Sequence, residues 1–151
     1  MSLGGSKSAA VNTAAANAVA AGVFMSVAAG NDGANAANSS PASEPTVFTV
    51  MASDSTDRLA SFSNYGAICD MIAPGVSILS TWLNGGTNTI SGTSMATPHV
   101  AGLAAYIQGL EGKRTPAALS SRLQTLATKN VVTGVPSGTV NYLAFNGNPS
   151  G

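Results

Sequence analysis

Apolar and polar positions along the chain change period several times, and each change marks an element. Lys7 to Ala21, "KSAAVNTAAANAVAA", is Ala-rich and reads as a helix, with Ser6 or Ser8 as its cap and Gly22 as its stop. Val23 to Ala29, "VFMSVAA", is a short apolar run closed by the turn cluster "GNDG" and reads as a strand. Met1 to Leu3 reads as the end of an earlier strand running into a glycine turn, which makes strand, helix and strand a βαβ unit with a parallel sheet. The sequence therefore predicts an α/β fold and a further segment upstream of residue 1.

The pattern continues in the same manner. Asn35 to Pro45 is a polar loop, Val47 to Ala52 ("VFTVMA") a buried strand, and Ala67 to Ala73 ("AICDMIA") a further strand before the turn "PG". Ile78 to Trp82 and Asn88 to Ser91 form a hairpin pair around the turn Asn84 to Gly86. Thr93 to Leu110 reads as a long Ala/Gly-rich helix. Thr115 to Thr128 is another, capped by Thr115 with Pro116 in its first turn. Val131 to Gly151 is turn-rich and is expected to wrap the surface. No internal repeat or linker divides the chain.

Composition narrows the function classes. The 151 residues suit one domain, and 44 % of them are hydrophobic. Only 8 % are charged, with six basic and six acidic side chains and no run of one sign. A weakly charged surface argues against electrostatic capture of nucleic acid or of an anionic membrane. No stretch reaches the ~18 apolar residues of a membrane span, and no basic-then-apolar leader is present. The single cysteine, Cys69, excludes an internal disulfide and a CxxC redox or metal site. Low charge fits an extracellular protein.

The chemistry concentrates in "TISGTSMATPHVAG", Thr89 to Gly102. Gly92 permits a sharp entry into the helix, which puts Ser94 in a first turn whose N–H groups lack partners. Those donors and the helix dipole favour negative charge developing nearby. That environment suits a serine attacking an acyl group, while the plainer reading is that Thr93 or Ser94 caps the helix. His99, the only histidine, is no base for Ser94. Five positions along a helix mean a rotation of about 140° and a rise of about 7.5 Å. His99 reads instead as a packed, hydrogen-bonded helix residue.

"GTSMATPHVAG" resembles the nucleophile motif of the subtilisin-like serine proteases. The resemblance extends through "MSLGG" (Met1 to Gly5), "VAAGND" (Val27 to Asp32), "SPASEP" (Ser40 to Pro45), "SFSNYG" (Ser61 to Gly66) and "APG" (Ala73 to Gly75), in the family's order. It is nearest the proteinase K branch of secreted fungal enzymes. It implies a three-layer fold around a mostly parallel sheet and a serine endopeptidase acting on protein or peptide substrates. Ser94 is then the nucleophile and Asn31 the oxyanion-hole amide, although by itself Asn31 reads as a turn residue. Ser2, Leu3 and Gly4 would pair with an extended substrate backbone. Ala28, Ala29 and Gly30 would wall the pocket for the residue before the cut.

Asp70 stands between apolar neighbours and faces either solvent at a strand end or a partner. The resemblance supplies that partner as a structural calcium held with the carbonyls of Pro45 and Val47. Phe48 stands where some relatives carry cysteine. In this family the triad order is Asp, His, Ser, so the Asp and His motifs belong before residue 1. The chain thus resembles the C-terminal part of the catalytic domain and is expected to need an N-terminal part as partner. The alternative is an inactive, substrate-binding or truncated fragment.

Overall fold

The computed structural model describes residues 1–148 and Ser150. Strand β1 (Gly5–Ser6) pairs antiparallel with β3 (Ser39–Ser40). The principal sheet has the order β2 (Ser26–Ala28), β4 (Phe48–Ser53), β5 (Met71–Pro74), β9 (Tyr142–Leu143), β8 (Thr128–Lys129). Its pairs are parallel except β8 with β9. Strands β6 (Ile78–Thr81) and β7 (Thr87–Ile90) make the expected antiparallel hairpin. Asn84 and Gly85 at its tip take positive φ, which the "NGG" turn allows.

Helix α1 (Ala9–Ala20) starts at Ser8, whose hydroxyl accepts from the Val11 amide, and it stops at Gly22 with φ +93°. Helix α2 (Thr93–Glu111) and helix α3 (Pro116–Leu126) cover one face of the sheet. Phe48, Val50, Ala52, Met71 and Ala73 point to that face and pack on Val100, Ala104, Ile107, Leu119 and Leu123. Met51 and Ile72 point the other way, into a layer built from Ala36, Ala42, Leu59 and Val132. Ala15 of α1 packs on Val27 and Val47. Both faces being covered explains why every residue of β4 is buried, Thr49 and Ser53 included. Each fully buried side chain of the size of Ile107 or Leu119 contributes about 1.5–3 kcal/mol.

Four expectations change. Met1 to Leu3 lie outside the strands, yet the Met1 ammonium donates to the Ser26 carbonyl and the Ala28 amide donates to the Met1 carbonyl. That is one parallel pairing step, so the βαβ geometry survives in a single residue. The strand after the glycine turn is only Ser26–Ala28, because Val23 stays exposed and its amide closes the helix stop on the Ala18 carbonyl. The third strand begins at Met71, because Cys69 closes a turn onto the Gly66 carbonyl; Asp70 therefore precedes the strand. The tail is more than a wrapping: Tyr142–Leu143 enters the sheet beside β5, and Ala144 donates to the Ile72 carbonyl. Phe48 is a core residue, tilted against Phe24 with ring centroids 5.4 Å apart. Cys69 is free and buried, and burial pushes its thiol up to about 12, helped by the charge of Asp70.

Candidate active site

Gly92 is the N-cap of α2 and has no side chain to cap with, so neither Thr93 nor Ser94 serves as the cap. Extended backbone at Gly92, anchored by its amide on the Gly75 carbonyl, turns directly into the helix. Ser94 is half-buried in the first turn, where its own N–H has no partner among the described residues. Its hydroxyl donates to the Ser2 carbonyl at 3.2 Å, and the Ser2 hydroxyl donates to the Ser94 carbonyl at 2.7 Å. Residues 92 positions apart in sequence are thereby clasped in both directions.

Asn31 is fixed by Thr93. The Asn31 Oδ1 accepts from the Thr93 amide at 2.8 Å and from the Thr93 hydroxyl at 2.9 Å. The Gly30 amide in turn donates to the Thr93 hydroxyl at 3.2 Å. With its oxygen held on the helix start, the Asn31 amide NH₂ donates to no protein group among the described residues. A second fastening comes from Asn64, which is almost completely buried. Its Oδ1 accepts from the amides of Asp32 and Ala34, and its Nδ2 donates to the Ala29 carbonyl. This draws chain 29–34 tight. Gly30 has φ +107°, and a Cβ there would lie 2.2 Å from the Asn64 Nδ2, so only glycine fits.

These residues line a cleft of about 560 Å³. Leu3, Gly4, Ala28, Ala29, Gly30, Asn31 and Ser94 all border it, and Ser2 joins through its bonds to Ser94. Ala28 and Ala29 are buried wall, whereas Leu3 is 56 % exposed. Thr93 and Asn64 escaped the sequence reading as site residues. The threonine looked like a cap, and the asparagine gains its meaning from partners about 30 positions away. Asn35, Asn38 and Ser39 also line the cleft and carried no sequence signal.

His99 is kept from Ser94, as its spacing requires. Its Nδ1 sits 2.9 Å from the Met95 carbonyl, one turn back. It is hydrogen-bonded as expected but exposed rather than packed.

Asp70 lies away from the cleft. Its Oδ2 accepts from the Thr49 amide at 2.7 Å and its Oδ1 from the Gln124 amide at 3.4 Å. Burial pushes its carboxyl up to about 6, opposed by the Thr49 hydrogen bond. Both ion pairs among the described residues go to Glu111, so no basic side chain pairs with Asp70. Pro45 is exposed and the Val47 side chain is buried. Among the described residues no three His, Cys, Asp or Glu side chains gather as a metal cage, and no helix is long and apolar enough to cross a membrane.

A mostly parallel sheet backed by a central helix, with a serine in that helix's first turn and an oriented amide beside it, is an α/β scaffold whose cleft could present a serine and an amide donor to an acyl group. The chain belongs to the subtilase family, whose profile matches residues 1–141. It is 67 % identical over 147 residues to an alkaline serine protease of Corniculantispora psalliotae and 65 % identical over 147 residues to a cuticle-degrading protease of Metarhizium anisopliae. Each alignment takes in 97 % of this chain and 38 % of the relative, so the chain spans well under half of their length. Proteinase R of Parengyodontium album is 53 % identical over 146 residues, covering 97 % of this chain and 38 % of that protein. The crystal structure of a cold-adapted subtilisin-like serine proteinase superposes with a TM-score of 0.94 at 46 % identity, over 97 % of this chain and 53 % of that one. The three-layer α/β expectation stands on that match.

Proposed function

We propose that residues 1–151 supply the nucleophile, the oxyanion amide and part of the substrate cleft of a secreted serine endopeptidase. In this reading the Asp and His of the triad come from an N-terminal part of the same catalytic domain. The observation that carries it is the anchoring of Asn31. Thr93 holds its Oδ1, which leaves the amide NH₂ free to donate beside Ser94. Ser94 Oγ attacks the scissile carbonyl carbon and its proton passes to the histidine of the N-terminal part. The carbonyl oxygen becomes an oxyanion held by the Asn31 amide and the Ser94 N–H. The leaving amine takes the proton, and water releases the acyl group. Extended substrate lies along Ser2 to Gly4, and small Ala28, Ala29 and Gly30 leave a wide slot for an apolar side chain. Protein outside the cell is the substrate class; the names of relatives such as the cuticle-degrading protease support this.

Calcium belongs to the same reading as a structural ion. The half-buried Asp70 carboxylate has hydrogen-bond donors but no cationic side chain, which fits a bound cation. With carbonyl oxygens of Pro45 and Val47 it would form an all-oxygen set suited to calcium, and the ion would fix the 45–49 segment against β5.

A second reading, an inert fragment that binds substrate without cleaving it, is favoured by the resting bond of Ser94 Oγ to the Ser2 carbonyl and by the engagement of His99, the only histidine, with the Met95 carbonyl instead of Ser94. A peptide assay decides. A peptide with a large apolar residue before the leaving group should stay intact with residues 1–151 alone. It should be cleaved once the N-terminal part is supplied, and not by Ser94→Ala. Turnover by the isolated chain that Ser94→Ala abolishes overturns the need for a second part. No turnover in the reconstituted protein favours the inert fragment.

A further inference from the structure

The hairpin of β6 and β7 stands apart from the principal sheet, and its two strands pair only with each other. Every residue from Leu79 to Thr87 is exposed, and none from Ile78 to Ile90 is buried. A two-stranded ribbon without a buried face is marginally stable, so its tip opens at small cost. One turn of 3₁₀ helix, Leu83–Gly85, joins the strands, and no side chain caps it. The turn is closed by the Trp82 amide on the Gly86 carbonyl and the Gly86 amide on the Leu83 carbonyl. Leu83 is 74 % exposed, more than any other large apolar side chain among the described residues.

Exposed tips of this kind are where proteases cut. Opened from the tip, residues 80–85 offer Ser-Thr-Trp-Leu followed by Asn-Gly, with no charged side chain anywhere from 71 to 110. Leu83 is the apolar residue that the slot beside Ala28, Ala29 and Gly30 is proposed to take, and small Gly85 and Gly86 crowd nothing beyond the cut. Other exposed apolar side chains are less available. Tyr106 and Leu110 lie within α2. The Val23 amide is bonded to the Ala18 carbonyl, and both neighbours of Val131 are bonded to Asn141. The base of the hairpin is fixed by the Ser77 amide on the Ser91 hydroxyl and the Gly92 amide on the Gly75 carbonyl. Strand β7, about 13 Å long, therefore holds the tip away from the Ser94 of its own chain.

We propose that the Leu83–Asn84 bond is a cleavage site for a second copy of this enzyme, and that the cut leaves a folded molecule of two pieces. The proposal rests on the functional reading above. Ser94 Oγ of the second copy attacks the Leu83 carbonyl carbon, the C–N bond to Asn84 breaks, and the Asn84 amine takes the proton. Water then frees Leu83 as a carboxylate. The pieces stay together because Val100 and Ile107 of the later one pack on Val50 and Met71 of the earlier one. Strand β9 pairs with β5 across the same divide, and Ser2 clasps Ser94.

The test separates this cut from the chain's own catalysis. The region preceding the matched segment of the Corniculantispora psalliotae protease is fused ahead of residues 1–151 carrying Ser94→Ala. The active Corniculantispora psalliotae protease is then added as the cutter. Mass spectrometry should find, as first products, one piece ending at Leu83 and one beginning at Asn84. Leu83→Asp should slow the first cut at least 10-fold, Leu83→Phe should restore it, and Val23→Asp should leave it unchanged. The cut protein should elute from gel filtration with the uncut one and separate only in guanidinium chloride. With Ser94 restored and no cutter added, the same pair should form at a rate per molecule that rises with protein concentration. A first cut elsewhere, a rate insensitive to Leu83→Asp, or pieces that part in native buffer overturns the proposal. A rate per molecule independent of concentration overturns the role of a second copy. Failure of the fused chain to hydrolyse peptides would strike the functional reading, whereas the added cutter reads the bond by itself.

Discussion

Thr93 does more for the site than its neighbour's reactivity suggests. Its backbone and side chain both donate to Asn31, and its hydroxyl also receives the Gly30 amide. In the reconstituted protease, Asn31→Leu would remove the side-chain donor proposed for the oxyanion. The expected loss is about 10²–10³ in kcat, the figure for the matching donor of subtilisin, which belongs to the same family. Thr93→Val keeps the shape and the backbone bond but loses the hydroxyl. We expect a smaller loss, about 10-fold in kcat with KM little changed, because the amide is less firmly aimed rather than absent. Steady-state kinetics on one ester and one peptide substrate check both. A change confined to KM in Thr93→Val would reassign the hydroxyl to substrate binding.

At the level of elements, local chemistry was the readable part. The hairpin declared itself through "NGG", the α3 start through Thr115 and Pro116, and the α1 stop through Gly22, because each depends on residues within four positions. Strand β9 did not, since two residues in a turn-rich tail become a strand only by meeting β5, about 70 positions away. Asn64 stayed hidden for the same reason, and Thr93 was masked by a commoner role. Ser94 and Asn31, which the structure brings to one cleft, were singled out through a resemblance spread over six segments, not through spacing. The junction of α2 and α3 was also silent. Arg122 and Arg114 both bind the Glu111 carboxylate, at 2.6 and 2.8 Å, and they hold its carboxyl below the usual range, Arg122 more than Arg114. A carboxyl depressed in the folded state adds stability above its unfolded pKa, and that stability is lost as pH falls through the folded value. Urea midpoints should therefore drop between about pH 5 and pH 3. In Glu111→Gln part of that slope should vanish; an identical slope would show that the cluster is without weight.

For the molecule as a whole, stability hinges on how segments far apart in sequence are fastened. Calcium at Asp70 would tie the 45–49 segment to the sheet. At about 100 times its Kd, a ligand bound only by the folded state adds about 2.7 kcal/mol. For a chain of this size that raises Tm by roughly 5–10 °C. Calcium titration followed by thermal unfolding should show this rise, and Asp70→Asn should abolish it. Equal midpoints with and without calcium in both proteins would remove the ion from Asp70.

Cys69 has a practical meaning of its own. It is the sole thiol, it is sealed in the layer opposite α2, and its proton is held so firmly that almost no thiolate exists in the folded chain. An alkylating reagent must wait for that layer to come apart, and it then marks each molecule permanently. The chain thus carries a built-in clock for its own opening. Counting alkylated molecules over time gives the opening rate when the reagent outruns reclosure, and the open population when it does not.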